Sequence, residues 1–460
     1  MKKFSAVILA AGAGTRMKSS VPKVLHKLSG KSLIDWVIDS VESLKPDNIV
    51  VVLGHKAETL EKALAGRNVK IVYQKEQLGS AHALMQAGKV LKSYNGDILV
   101  ISGDVPLVKP ATLASLLKRS KENKASVTVL TAEVDNPFGY GRIIRGARTE
   151  AGSALEKIAE EKDASASEKA VKEINSGIYC FDKNVWKALS KVKPNNAKKE
   201  YYLTDTVEIL KKEGKKAAVC PARSAFEVKG INSRAELEQA EQALLDGKIS
   251  SLLENGVTVI DRKNVYVSFD AKIGQDTVIY PGAFIGRGVK IGRSCLIKGS
   301  SFIENSEIGD NCQISYSYVS GAKTGNDIKI GPFSHIRPGS VLKDNVKVGN
   351  FSETKKSVIA KNSKVNHLSY IGDAEVGENV NIGAGTITCN YDGEKKHKTV
   401  IGAGSFVGSN VNFVAPVKIG KDVLVAAGST ITHDIPSGKL AIARARQEVK
   451  RRKERVKIGE

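Results

Sequence analysis

Cysteine is scarce in this 460-residue chain: Cys180, Cys220, Cys295, Cys312 and Cys389 are odd in number, scattered, and never spaced as C-x-x-C. A disulfide framework needs pairs and a structural zinc site needs close spacing, so both are excluded and a reducing, cytoplasmic setting is expected. Aromatic residues are only 5% and do not interleave with the basic ones, so the stacking platforms that bind single strands are missing. No apolar run approaches the roughly 20 residues needed to span a bilayer. Lys2-Lys3 followed by Phe4 to Ala11 mimics the start of a signal peptide, but the run is short and leads straight into glycines. The expectation is a chain neither exported nor inserted in a membrane.

What the chain has is positive charge, +22 from 71 basic and 49 acidic side chains. Such an excess favours anionic partners, whether nucleic acid, lipid headgroups or phosphorylated metabolites. It is spread along the sequence except for one dense run, Lys450-Arg451-Arg452-Lys453 through Lys457. A solvated basic surface accounts for it without nucleic acid. With 41% hydrophobic and 26% charged residues the composition is that of a globular protein, and the length implies two or three domains.

The patterning passes through three regimes. Residues 1–229 alternate β-branched runs (6–9, 48–53, 69–73, 97–102, 126–130) with helical stretches near 32–44, 56–65, 79–92 and 110–122. That alternation predicts an α/β domain with a mainly parallel, doubly wound, Rossmann-like sheet, whose ligand sits at the carboxyl ends of the strands. Residues 230–255 read as a linker helix, with Leu237, Ala240, Leu244, Leu245, Ile249, Leu252 and Leu253 at spacings of three and four. From 256 to 436 an apolar residue recurs at every sixth position, from Val267 through Ile273, Ile279, Ile285, Ile291 and Ile297 to Ile303, and again from Ile401 to Ile431. A six-residue period predicts a parallel β-helix of hexapeptide repeats. A polar insertion, Thr388 to Lys398, breaks it, either as a tolerated surface loop or as a binding feature. Residues 437–460 form a basic C-terminal tail.

Chemistry concentrates at two places. Gly12-Ala13-Gly14-Thr15-Arg16 turns the chain out of the first strand, where glycines let backbone N–H groups approach an anion. It is neither a Walker loop nor a dinucleotide fingerprint, and alone it is equally a structural turn. Arg16 and Lys23 nearby favour phosphate. Asp104, in Gly103-Asp104-Val105-Pro106, ends another strand, as a turn residue or as an oxygen ligand for Mg²⁺. His367 in the repeat region is a candidate general base or a structural histidine.

The motifs L-A-A-G-x-G-T-R-M…P-K, Gln74-Lys75-Glu76-Gln77-Leu78-Gly79, G-D-V-P, Gly139-Tyr140-Gly141-Arg142, Glu173-Ile174-Asn175, Glu200-Tyr201-Tyr202-Leu203-Thr204-Asp205 and Gly230-Ile231-Asn232 resemble the sugar-phosphate nucleotidyltransferases. With Arg337-Pro338-Gly339, Glu353-Thr354-Lys355-Lys356, Asn366-His367, Asn381-Ile382-Gly383-Ala384-Gly385 and Cys389-Asn390-Tyr391-Asp392-Gly393, essentially the whole chain resembles the bifunctional N-acetylglucosamine-1-phosphate uridyltransferase/glucosamine-1-phosphate acetyltransferase family. The resemblance implies a bacterial, cytoplasmic enzyme of UDP-N-acetylglucosamine synthesis, feeding cell-wall construction. Its C-terminal half would be a left-handed β-helix that assembles a homotrimer, with acetyl-transfer sites between subunits.

It also implies roles. Arg16 and Lys23 would neutralise the phosphates of UTP, and Asp104 and Asn232 would hold Mg²⁺. Leu9, Gly12, Gln74, Gly79 and Ser80 would contact the nucleotide, Ser80 standing where threonine is usual. Gly141, Glu160, Asn175 and Thr204 would contact the sugar. In the second half His367 would be the base, Arg337 and Lys355 would bind the sugar phosphate, and Tyr370 and Asn381 would help to place the acceptor. Asn390 and Tyr391 would help to place substrate beside acetyl-CoA, whose site Ala384, Ser409, Ala427 and Arg444 would line. Arg444 lacks the proline that usually follows it. Two rivals remain: a nucleotidyltransferase whose β-helix only assembles it, and a basic scaffold for nucleic acid.

Overall fold

The computed structural model describes residues 3–149 and 152–451. Of the expected basic tail, Arg452, Lys453 and Lys457 lie outside the described residues, as does Lys2. The chain divides into two compact units, Met1–Gln242 and Ala243–Glu460. The division falls inside one long helix, Arg234–Glu254. Among the described residues no helix is long and apolar enough to cross a membrane.

In the first unit the strands and helices in chain order are β1 (Phe4–Ala10), the hairpin β2–β3 (Lys27–Leu28, Lys31–Ser32), α1 (Leu33–Glu42), β4 (Asn48–Leu53), α2 (Ala57–Leu64), β5 (Lys70–Tyr73), α3 (Ser80–Leu91), β6 (Asp97–Ser102), α4 (Pro110–Asn123) and β7 (Val127–Glu133). Next come β8 (Arg142–Thr149), β9 (Gly152–Ala159), α5 (Ala166–Lys169), β10 (Glu173–Phe181), α6 (Val185–Leu189), α7 (Asp205–Lys212), β11 (Ala217–Pro221) and α8 (Arg234–Glu254). The main sheet runs β11-β7-β10-β6-β1-β4-β5. Strands β6, β1, β4 and β5 are parallel, as are β7 and β11, but β10 enters antiparallel to both β6 and β7. The sheet is thus mainly parallel, as expected, with β10 as the one antiparallel strand of that path. The β8–β9 hairpin reverses the chain after β7, so the next strand to reach the sheet arrives the other way round. The continuous apolar runs of β1 and β6 are buried throughout their centres, as strands covered on both faces require.

The second unit is a three-sided, left-handed parallel β-helix, with stacked sheets of eleven, ten and nine strands. Each strand pairs in parallel with the one a full turn away, so Val267, Ile285, Ile303, Val319 and Ile336 form one buried ladder. Burying each such side chain contributes about 1.5–3 kcal/mol. The coil is continuous through the stretch where the sixth-position pattern lapses. There some sides shorten to five residues, as from Ile303 to Ile308 and Ile314 to Val319, and threonine replaces an apolar residue at Thr354 and Thr388. Thr388 is 1% exposed, accepts from Gly372 N–H at 2.7 Å and donates to Gly372 O at 3.0 Å. The insertion therefore begins only after Cys389, two residues later than its polarity suggests.

Of the stripe expected on α8, Ala240, Ile249 and Leu252 are buried but Leu253 is 45% exposed. Only Leu245, Ile249 and Leu252 pack against the β-helix core, so the three-and-four spacing overstates the buried face.

Candidate active sites

The first site grows from the parallel pairing of β1 and β6. Leu9 is in register with Ser102, and Gly103 N–H donates to Leu9 O at 2.9 Å, so both chains leave the sheet at one level. There a cavity of about 330 Å³ opens, lined by Leu9, Gly12, Lys23, Gln74, Gly79, Ser80 and Asp104 among others. Gly14 adopts φ +62°, and a Cβ on it would lie 2.6 Å from Lys23 Cβ. Glycine there lets the Lys23 backbone come close enough for its side chain to reach the strand ends.

At the cavity floor the Lys23 ammonium is bonded to the Asp104 carboxylate and donates to Asn232 Oδ1 at 3.0 Å. Asn232 is held there twice over. Ile231 N–H donates to Asp104 O at 2.8 Å, and Glu236 accepts from Asn232 N–H at 2.6 Å where α8 begins. One carboxylate and one amide oxygen converging on a single cation are a donor set Mg²⁺ accepts, since it takes few protein oxygens and keeps waters and phosphates. Among the described residues no group of three or more His, Cys, Asp or Glu could hold a metal.

Gln74 is buried, with its Nε2 donating to Gly79 O at 3.0 Å and lying 3.1 Å from His82 Nδ1. Gly79 sits at φ +110°, and a Cβ on it would strike Tyr201 O at 2.6 Å. Ser80 Oγ accepts from Leu203 N–H at 3.0 Å, which brings the 200–205 segment against the same loop.

The residues expected to contact sugar gather beside this cavity rather than along its wall. Asn175 N–H donates to Gly141 O at 2.8 Å, and Thr204 Oγ1 donates to Glu160 at 3.1 Å. Burial raises the Glu160 carboxyl, partly offset by the Thr204 bond. Tyr140, next to Gly141, is raised by burial first and then by the charges of Glu236 and Asp104, with Arg16 opposing. Arg16 itself is exposed on a single 3-10 turn, Thr15–Met17.

The second site runs along one corner of the β-helix. Asn350, His367, Ala384, Ser409 and Ala427 each precede a corner residue of positive φ, namely Phe351, Leu368, Gly385, Asn410 and Gly428. The carbonyl of each accepts a bond from one coil further on: Leu368 N–H at 3.1 Å, Gly385 N–H at 3.3 Å, Asn410 N–H at 2.7 Å and Gly428 N–H at 2.8 Å, ending with Arg444 Nη1 on Ala427 O at 2.6 Å. One file of stacked positions thus joins His367 to Ala384, Ser409, Ala427 and Arg444. Within it His367 Nδ1 lies 2.7 Å from Asn350 Oδ1.

Cations collect on the adjoining sheet. Arg337 Nη1 donates to Glu353 at 2.6 Å, and Tyr370 is paired with Glu353 in the ladder. Lys355 is pushed down by Lys396 first and by Arg337 after it, a mark of crowded positive charge. Lys396 comes from the insertion, which is a built hairpin. Tyr391 bridges to Lys396, and Asp392 accepts from Glu394 N–H at 2.8 Å, Lys395 N–H at 2.7 Å and His397 Nε2 at 2.5 Å. Asn390 donates to Asp373 beneath it. Asn381 stands on the sheet before the corner, in register with Lys364 and Phe406.

Sequence reasoning missed Asn350, Lys396 and His82. Asn350 was within reach, because it lies 17 residues before His367, about one coil. Lys396 was not, because the loop's path is set by Asp392 capping rather than by the repeat.

Comparison with known proteins covers both units. The MobA-like NTP transferase domain matches residues 6–173, the GMPPB C-terminal domain residues 262–326, and the bacterial transferase hexapeptide residues 398–433. The protein called Bifunctional protein GlmU in Caldicellulosiruptor saccharolyticus is 50% identical over 97% of this chain and 96% of its own. Its namesake in Geobacillus sp. is 49% identical over 97% and 96%, and that in Caldanaerobacter subterraneus subsp. tengcongensis 49% identical over the whole of both chains.

Proposed function

The chain belongs to the bifunctional GlmU family, and from that premise we propose that it makes UDP-N-acetylglucosamine by two transfers in two places. The β-helix unit acetylates glucosamine 1-phosphate with acetyl-CoA, and the α/β unit transfers UMP from UTP to the product, releasing pyrophosphate. The observation that carries this reading is the pair of unlike clusters. One is an ammonium clasped by Asp104 and Asn232 at a strand-end cavity, the other a histidine in file with Ala384, Ser409 and Ala427 beside three cations.

In uridylyl transfer a phosphate oxygen of the sugar attacks the α-phosphorus of UTP and the bond to the β-phosphate oxygen breaks. Such a reaction needs positioning and charge stabilisation rather than a protein nucleophile. Asp104 and Asn232 would hold Mg²⁺, whose chemistry there would be neutralisation of phosphate charge. Lys23 and Arg16 supply the remaining positive charge. Gln74 and Gly79, with Leu9, Gly12 and Ser80, grip the nucleotide, while Gly141, Glu160, Asn175 and Thr204 receive the sugar.

In acetyl transfer the sugar amine attacks the thioester carbonyl, the C–S bond breaks and CoA leaves as its thiol. His367 takes the amine's proton. Arg337 and Lys355, joined by Lys396, hold the sugar phosphate, with Tyr370 and Asn381 orienting the ring. Asn390 and Tyr391 flank the acetyl group, and Ala384, Ser409, Ala427 and Arg444 line the acetyl-CoA path.

A trimer is supported by the same corner. Tyr316, Phe333, Phe351 and Leu368 are 51–62% exposed on successive coils, with ring centroids 6.1 Å and 5.5 Å apart. Bulky apolar residues at positive φ carry strain that solvent does nothing to repay, and packing against further copies of this chain would. All five cysteines are free thiols, which supports a cytoplasmic location.

The test is release of free CoA thiol from acetyl-CoA and glucosamine 1-phosphate without UTP or metal, beside release of pyrophosphate from UTP and N-acetylglucosamine 1-phosphate with Mg²⁺. Both are expected. Pyrophosphate without thiol release would leave the β-helix as an assembly device only.

A further inference from the structure

We propose that Asn350 is a positioning residue for acetyl transfer, holding His367 in the tautomer that makes Nε2 the proton acceptor. The inference rests on the reading of His367 as the base. An amide oxygen can only accept a hydrogen bond, so at 2.7 Å from Asn350 Oδ1 the His367 Nδ1 carries the proton. Nε2 then keeps its lone pair for the sugar amine. Neutral imidazole in water favours the opposite tautomer, so this bond sets which nitrogen does chemistry.

The surroundings make the bond an orienting one. The His367 backbone is fixed, its carbonyl accepting from Ser369 Oγ at 2.8 Å and Gly385 N–H at 3.3 Å. The Asn350 carbonyl accepts from Leu368 N–H at 3.1 Å, and a Cβ on neighbouring Gly349 would collide with the Asn366 backbone. Two consecutive coils are thus locked together at this corner, with only the imidazole ring free to rotate. Within the chain the Asn350 oxygen is what fixes the exposed His367 ring. The amide plays the part that a carboxylate plays behind other catalytic histidines, without adding charge beside the cations that await a phosphate.

The experiment compares full-length wild type, Asn350→Ala and Asn350→Asp in both half-reactions. Asn350→Ala should lower kcat for acetyl transfer about 10- to 100-fold, with KM for both substrates within about twofold and uridylyl transfer intact. Asn350→Asp presents an oxygen at the same place and should restore kcat to within about threefold. Unchanged kcat in Asn350→Ala, or a loss confined to KM, would overturn the proposal. Histidine-selective ¹⁵N spectra of the wild type, with His367 assigned from its loss in His367→Gln, supply a readout that needs no variant at position 350. A protonated Nδ1 and unprotonated Nε2 are expected, and the reverse overturns the proposal even if Asn350→Ala misfolds. A His367→Gln chain that acetylates at the wild-type rate would defeat the base assignment itself, and the spectra would still report the tautomer.

Discussion

Lys23 and Lys355 are both lysines that we propose to bind phosphate, yet their surroundings are opposite. Lys23 is neutralised in place by Asp104 and bonded to Asn232 at the lining of the strand-end cavity, where only 16% of its side chain is exposed. Lys355 faces Lys396 and Arg337, and their charge pushes its ammonium down. The contrast follows from the two reactions. In the proposed uridylyl transfer a metal would arrive with the nucleotide, so its oxygen ligands would be present beforehand, with Lys23 as the resident cation that satisfies them. The proposed acetyl transfer brings phosphates without a metal, so its site would keep a surplus of positive charge that the substrate relieves.

Variants can break or sharpen that comparison. Removing the proposed metal ligand should have the largest effect: Asp104→Ala is expected to lower uridylyl transfer by about 10³-fold while sparing acetylation. His367→Ala should do the reverse, by about 10²–10⁴-fold. Coupled assays of pyrophosphate and thiol release check both, and equal loss of the two activities in either variant would refute separate sites. Chelation of divalent metal should likewise stop pyrophosphate release and leave thiol release untouched; metal-dependent acetylation would dissolve the distinction drawn between the two lysines. Lys396→Ala should raise KM for glucosamine 1-phosphate about tenfold, the worth of one charge-assisted bond, with kcat changed little. A KM equal to wild type would mean that the crowding at Lys355 serves no ligand.

The smallest expected effect concerns a carboxylate near the sugar residues. Asp205 is lifted to about 6 by burial first and by Glu160, Glu208 and Asp163 after it. The native chain therefore holds that proton more tightly than the unfolded one. The resulting stabilisation is full below about pH 4 and is lost as pH rises through about 6. Asp205→Asn should then stabilise the protein by about 1 kcal/mol at about pH 7.5 and not at about pH 4, once solvent screening and the lost favourable charge at the start of α7 are allowed for. Thermal melts at the two pH values check it, and an equal shift at both would show that the carboxyl's charge is not the cause.

Much of this architecture is legible along the chain. The strands at 48–53 and 97–102 coincide with their apolar runs because both faces of each are covered. The β-helix announces itself because each side takes six residues and stacks like on like. Its middle is less legible, since five-residue sides and the buried hydroxyls of Thr354 and Thr388 satisfy the coil by hydrogen bonds that a hydrophobic pattern cannot register. The first site was readable as motifs, but not the clasp of Lys23, because Asn232 lies 209 residues away.

By itself, then, the sequence determined the two architectures and the chemical types at each site, because periodicity and local glycine turns are short-range properties of a chain. Only the tertiary structure decided the antiparallel entry of β10, the pairing of Asn350 with His367, and the approach of Lys396 to Lys355. Those depend on where distant segments stop, and stopping points are set by packing, coil length and capping bonds rather than by any pattern along the chain.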